Sequence, residues 1–209
     1  MKLGILVGLK AEARLIRPVF PDALIAVSGA TRQGAMRGVE TLRRSGAAAL
    51  LSFGCAGGLS AEARVGDILT PDWVLVDGQP ITCDIDLLGT LGLDRRGASS
   101  GGLYHSDVAV TRAADKHRLW METHCRAVDM ESGVVALSGL RFCVLRVICD
   151  DAARDLPRAV ESIMGNGGIS FFRIMTSLIM SPGQIPDLMR LGGDARKARQ
   201  SMADYLGTK

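Results

Sequence analysis

Aromatic residues are scarce in this 209-residue chain, at 4% of the composition, with two Trp, two Tyr and five Phe. Lysines and arginines are scattered along the whole length behind a net charge of only +3. Neither feature suits a nucleic-acid groove, which concentrates basic side chains and interleaves them with aromatic faces. No nucleic-acid partner is expected. The five cysteines (Cys55, Cys83, Cys125, Cys143 and Cys149) are odd in number, widely separated and free of C-x-x-C spacing. That pattern excludes both a zinc site and a disulfide framework, and a reducing cytoplasm is the expected setting. Long hydrophobic runs are also missing. The start, "MKLGILVGLKAEARL", carries a single short apolar stretch after Lys2, with the wrong length and flanks for a signal peptide. Residues Ser45 to Ala61 carry no charge, yet glycines interrupt them and they fall short of the roughly 20 residues that a membrane-spanning helix needs.

Hydrophobic residues nevertheless make up 47% of the chain, and 25 residues are glycine, so the core must be built from Val, Leu, Ile, Ala and Met between tight turns. The length fits one domain over residues 1–209. Short apolar runs alternate with helical periodicity, which predicts an α/β fold: a single-domain central mixed β-sheet flanked by helices. Strands are predicted over Leu3–Val7, Ala23–Val27, Ala48–Phe53, Asp67–Leu75 and Phe142–Ile148, and the run before Asp129 reads as a further buried strand. Thr31 is placed to cap a helix over Gln33–Arg44, and Thr111 to cap another reaching Trp120. From Pro157 onward the chain reads as a helical C-terminal segment, 157–209, with a turn at "SPGQIP" enforced by Pro182, Gly183 and Pro186.

Open α/β sheets gather their chemistry at the carboxyl ends of strands. Four stretches occupy such positions: Gly8–Glu12, "SFGCAGGL" (Ser52–Leu59), "AVDMES" (Ala127–Ser132) and "LRVICDDA" (Leu145–Ala152). The Gly-rich stretch is no dinucleotide fingerprint, because Ala56 stands where the second glycine of G-x-G-x-x-G belongs. By itself it is equally a tight turn or a ligand loop. Asp150 is either a helix-capping acid or a carboxyl whose pKa is raised by burial at the end of an apolar strand. Asp129 and Glu131 both read as helix-start acids, each contributing about 0.3–1 kcal/mol, and Glu131 alternatively as a carboxylate that accepts two hydrogen bonds side by side. Met130 between them is core filler or a ligand contact.

Taken together, the four stretches resemble the nucleoside phosphorylase/nucleosidase superfamily, most of all its methylthioadenosine/S-adenosylhomocysteine nucleosidase branch, over residues 1 to about 155. "MKLGILVGLKAEARL" is similar to that branch's first strand and its catalytic glutamate, here Glu12. "GCAGGLSAEARVGDIL" looks like "G-S-A-G-G-L…V-G-D-I", with Cys55 in place of serine. "AVDMES" matches "V-E-M-E", and "RVICDDA" matches "R-A-I-S-D-x-A", with Cys149 again replacing serine. The resemblance implies cleavage of an N-glycosidic bond, with Asp150 protonating the leaving purine and Glu12 serving the water. Substrate contacts fall on Glu131, Met130, Cys55, Ala56, Gly57, Ala109, Val110, Arg146 and Cys149. Two carboxyl groups suffice for this chemistry, so no cofactor and no metal is expected.

The resemblance also leaves choices open. A carboxylate at position 12 repels a phosphate dianion and favours hydrolysis, while Arg14, Arg17 and Arg32 keep phosphorolysis in view. Where the branch stacks an aromatic on the purine ("D-A-F-I"), this chain reads "DVAV", placing Ala109 there and giving up about 1–3 kcal/mol of stacking. His105 is either a ligand-facing donor or an ordinary surface or core histidine. "GLKAEARL", "CDDAARDLP" and "LIMSPGQIPDLMRLGGDARKA" further resemble the hopanoid-associated branch, which removes adenine from adenosylhopane to leave ribosylhopane. That resemblance implies a lipid-linked nucleoside substrate, a homodimer and peripheral contact with the inner membrane. The apolar Ile169–Met180 segment would then border either the lipid or the dimer interface. Because fold alone proves no activity, a non-catalytic nucleoside-binding protein is the competing reading.

Overall fold

The structure is a computed structural model that describes residues 1–93, 97–156 and 185–207. Its elements run β1 (Leu3–Val7), α1 (Lys10–Ile16), β2 (Leu24–Val27), α2 (Arg32–Arg44), β3 (Ala49–Gly58), β4 (Ile68–Leu69), β5 (Trp73–Val76) and β6 (Gln79–Thr82). There follow α3 (Ile85–Thr90), β7 (Ala98–Ser99), β8 (Gly102–His105), α4 (Ala113–Thr123), β9 (Cys125–Asp129), α5 (Ser132–Ala136), β10 (Arg141–Asp150) and α6 (Ile185–Leu206). The strands form one mixed sheet in the order β6-β5-β8-β9-β3-β10-β4-β7, with β1 pairing β3 and β2 pairing β1. This is the α/β architecture that the alternating pattern predicts.

The central strands are near-continuous apolar runs because helices cover both of their faces. On one face Phe142, Val144 and Ile148 of β10 join Leu6 and Leu50 beneath Val39 of α2 and Val135 of α5. On the other, Cys143, Leu145 and Val147 join Ile5 and Leu51 beneath Ile16 of α1, Leu87 of α3 and Met202 of α6. The strict alternation of a strand puts Arg146 on the first face, between Val144 and Ile148 along β10.

β3 is the strand that organises the site. One of its edges pairs with β10 in parallel, from Ala49↔Arg141 to Gly57↔Asp150. Its other edge pairs with β1 only as far as Phe53↔Val7, and β9 takes that edge, antiparallel, at Gly57↔Val128. Gly54, at φ +147°, lies between the two partners in a conformation open only to glycine. β10 carries a bulge between Ile148 and Asp150, and a bulge re-aims the side chains that follow it.

Three predicted boundaries are corrected. Asp67–Leu75 is two strands, because Pro71 has no N–H to donate and ends the ladder; β4 pairs β10, whereas β5 pairs β6 and β8. Thr111 does not cap α4. Its carbonyl accepts from Leu156 N at 2.7 Å, and the helix starts at Ala113, whose N–H is taken by Asp155 Oδ1 at 2.7 Å. The cap is therefore tertiary, and the helix runs past Trp120 to a left-handed His124 at φ 54°. Pro186 belongs to the first turn of α6, where its missing N–H costs nothing. Thr31 does cap α2, accepting from Gly34 N at 3.1 Å. Residues 157–184, including Ile169–Met180, lie outside the described residues. Among the described residues no helix is long and apolar enough to cross a membrane.

Candidate active site

Glu12, Ser28, Cys55–Gly57, Glu131 and Asp150 all sit at or just beyond the carboxyl ends of β1, β2, β3, β9 and β10. Glu12 enters from the first turn of α1 and is buried. Its Oε2 accepts from Leu9 N at 2.8 Å and its Oε1 from Cys55 N at 2.9 Å. The second bond fills the gap on β3 between β1 and β9. Glu131 meets Glu12 beside Gly8: a Cβ at Gly8 would stand 3.1 Å from Glu131 Oε1 and 3.3 Å from Glu12 Oε2. A Cβ at Gly8 would crowd both carboxyl groups, and the bare backbone leaves them room to come together.

Under this pair lies Arg146, fully buried. Its Nη2 is 2.5 Å from Asp129 Oδ2 and 3.6 Å from Glu131 Oε2. It also donates to Ser52 Oγ at 2.7 Å, and its Nη1 to the Cys55 carbonyl at 3.3 Å. Arg146 thus holds the acids from below through contacts to protein groups. Asp129 serves in two ways, pairing with Arg146 and accepting from Ser132 N at the start of α5. Burial pushes Asp129 upward, but Arg146, His105 and Ser132 together hold it below the usual carboxylate range. Glu131 goes the other way. Burial, with the charges of Asp129 and Glu12, raises it to about 7 against the pull of Arg146.

Asp150 follows the bulge and faces Gly57, whose ideal Cβ would be 3.2 Å from Oδ1. Burial raises its pKa, and Lys116 pulls in the opposite direction. Its neighbour Asp151 is held by Arg154, with Nε at 2.8 Å, and lies below the usual carboxylate range. The two adjacent acids are thereby pushed apart, and Asp150 is the one suited to hold a proton. Cys149 donates to the Ala56 carbonyl at 3.4 Å, and a hydrogen bond with Cys55, helped by burial, raises its thiol well above the ordinary range. The two cysteines that replace serines are therefore neighbours across β3 and β10.

Other expected contacts are placed less directly. Met130 is half-buried between Asp129 and Glu131. Ala109 is half-buried in the segment leading to α4, and Val110 packs on Leu59, Cys125 and Val128. That segment is tied to the loop after Asp150 by the Thr111–Leu156 and Ala113–Asp155 bonds. His105 is core-packed, 4.0 Å from Asp129 and 3.5 Å from Asp107. A cavity of about 420 Å³ between α2 and α5 includes His105 and Arg32 but none of Glu12, Glu131 or Asp150. A much smaller opening, about 40 Å³, borders Asp150 against Leu191 of α6. Among the described residues no group of His, Cys, Asp or Glu is arranged to hold a metal ion.

Sequence reasoning missed two participants. Ser28 Oγ donates to Glu131 Oε1 at 2.9 Å, and nothing in the local sequence marks it. Lys116 Nζ lies 2.5 Å from Asp150 Oδ2. Here a signal existed: Ala113, Lys116, Trp120 and Thr123 share one helical stripe, so the lysine stands where an inward-facing helix calls for an apolar residue.

No family model and no curated protein matches the chain. Solved structures do. The 5′-methylthioadenosine/S-adenosylhomocysteine nucleosidase of Helicobacter pylori superposes with a TM-score of 0.71 at 17% identity, covering 99% of this chain and 96% of that one. The corresponding nucleosidase of S. pneumoniae, solved with a transition-state inhibitor, gives 0.66 at 17% identity over 99% and 98%. The futalosine hydrolase of Helicobacter pylori gives 0.69 at 17% identity over 99% and 96%. The chain has the nucleoside phosphorylase/nucleosidase fold.

Proposed function

We propose that this protein hydrolyses the N-glycosidic bond of a 5′-modified adenosine and releases adenine. The observation that carries the reading is the convergence of Glu12 and Glu131 beside Gly8, with a separate Asp150 at the end of β10 whose pKa burial raises. Cleavage leaves an electron-poor sugar and an electron-rich base, so the base needs a proton and the sugar a nucleophile. Asp150 gives its proton to the purine as the glycosidic electron pair departs with the base. Glu12, anchored by Leu9 N and Cys55 N, takes a proton from the water that adds to the anomeric carbon. Glu131 receives the adjacent ribose hydroxyls, and those bonds strengthen as the sugar loses electrons. Known nucleosidases among the structural neighbours support the same reading.

Within that class we propose adenosylhopane as the substrate and ribosylhopane as the product. Support comes from the sequence resemblance to the hopanoid-associated branch and from the small Ala109. A triterpenoid 5′ group burying even a third of its surface gains several kcal/mol over a methylthio group, at about 25 cal/mol per Å². A homodimer that meets the membrane surface reversibly from the cytoplasm fits an insoluble substrate.

The test is adenine release from adenosylhopane and from methylthioadenosine, side by side in detergent, with and without phosphate. Adenosylhopane is expected to give the higher kcat/KM, with a free sugar as the product in both buffers. A higher value for methylthioadenosine removes the lipid assignment, a sugar 1-phosphate replaces hydrolysis by phosphorolysis, and no release from either points to a binding protein.

A further inference from the structure

Lys116 is fully buried on α4, a costly place for an ammonium group unless every donor is satisfied. Three acceptors surround its nitrogen: Asp150 Oδ2 at 2.5 Å, the Asp151 carbonyl at 2.7 Å and the Arg154 carbonyl at 3.2 Å. They match the three protons of an ammonium, and all three belong to the end of β10 and the turn beyond it. Lys116 therefore fastens the acid-bearing segment to α4. It also makes the two oxygens of Asp150 unequal. Both oxygens stand beside Gly57, 3.2 and 3.3 Å from an ideal Cβ there, but Oδ2 is occupied by a cation while Oδ1 receives only the long Cys149 thiol contact at 3.5 Å.

We propose that Lys116 is the positioning residue of the acid: it binds Asp150 through Oδ2, so that Oδ1 carries and delivers the proton, and its charge meets the carboxylate left behind. The inference rests on Asp150 being the proton donor. In the step, the Oδ1–H bond breaks, an N–H bond forms on the leaving purine, and the glycosidic pair leaves with the base. The negative charge that appears on Asp150 does so beside a cation already in place, with no reorganisation needed. Without Lys116, burial would hold the proton on Asp150 too firmly for it to be given up. Other charged or titratable groups around Asp150 are Cys149 on its own strand, Asp151, Arg154 and Asp155 in the following loop, and Arg190 and Asp194 of α6. Of the cations, Arg154 is engaged by Asp151 and lies 3.6 Å from Asp194.

The test is the pH profile of Lys116→Met, similar in length but uncharged, beside Asp150→Asn and the unmodified enzyme. The alkaline limb of kcat/KM, set by loss of the acid's proton, should move up by about one pH unit or more, because the cation that lowered Asp150 is gone. At the optimum kcat should fall about 10- to 100-fold, with KM within about threefold. A purely structural role would not move the limb. An unmoved limb with inactive Asp150→Asn overturns the role of Lys116 alone, whereas a fully active Asp150→Asn overturns the acid assignment beneath it. Selective ¹⁵N-lysine labelling of the unmodified enzyme tests the coupling without a substitution. The Lys116 Nζ resonance should shift at the pH of the kinetic limb, and an insensitive resonance overturns the proposal even where Lys116→Met does not fold.

Discussion

Ser28 Oγ donates a 2.9 Å hydrogen bond to Glu131 Oε1 while accepting one from Ala30 N at 3.0 Å. The hydroxyl is thereby fixed, and with it the direction of a carboxyl that burial has raised to about 7. In the unfolded chain the same group titrates near 4.5. Folding thus favours protonated Glu131, and that contribution is complete below the unfolded value and lost as pH rises through about 7. Stability should fall across this window by on the order of 3 kcal/mol. Glu131→Gln, which cannot ionise, should flatten the fall. Thermal denaturation of both proteins below and above the window is the measurement, and equal pH slopes would count against the raised value.

The same substitution reads out ribose recognition. A hydrogen bond to a charged group contributes about 1.5–3 kcal/mol, so Glu131→Gln should shrink discrimination against 2′-deoxy substrates by roughly 10- to 100-fold. Unchanged discrimination would reduce Glu131 to a helix-start acid.

Asp150 and Asp151 differ by one position and by opposite environments, which makes them a paired test. Asp150→Asn should fold and lose about 10²–10⁴ in kcat, because an amide has no proton to give. Asp151→Asn, releasing only a half-exposed contact with Arg154, should stay within a few-fold of the parent. Reversal of the two results would shift the acid one residue along the chain.

Arg146 and Asp129 have side chains only 1% exposed. Replacing either alone, by Arg146→Met or Asp129→Asn, leaves a buried charge without its partner and should cost about 3–5 kcal/mol in urea denaturation. The double variant should be more stable than the sum of the two losses implies. Additive losses would show that the pair is not coupled.

The four strand-end segments could be read from the sequence because each is a local pattern: an apolar run, then acids or glycines. The two-faced burial of β3 and β10 was legible for the same reason. What escaped was relational. The split of Asp67–Leu75 was signalled by Pro71 alone, against an otherwise strand-like run. The tertiary cap of α4 depends on Asp155, which is 42 residues away. Ser28 and Glu131 are 103 residues apart, and no periodicity links them. Arg146 was marked by the motif alone, and its burial beneath Ser132 and Ser52 depends on partners far from it in the sequence.

The bond from Cys55 N to Glu12 has a meaning for how this chain can change over time. Where β1 stops and β9 has not yet begun, a side chain takes the place of a neighbouring strand, so Glu12 is at once reagent and masonry. Lineages that abandon the chemistry cannot freely discard the residue, because Glu12→Ala would leave the half-buried Cys55 amide without this acceptor, at up to about 1–3 kcal/mol. A glutamate retained at this position is therefore weak testimony to activity taken alone, and Asp150, the partner of the buried Lys116, is under a structural constraint of its own.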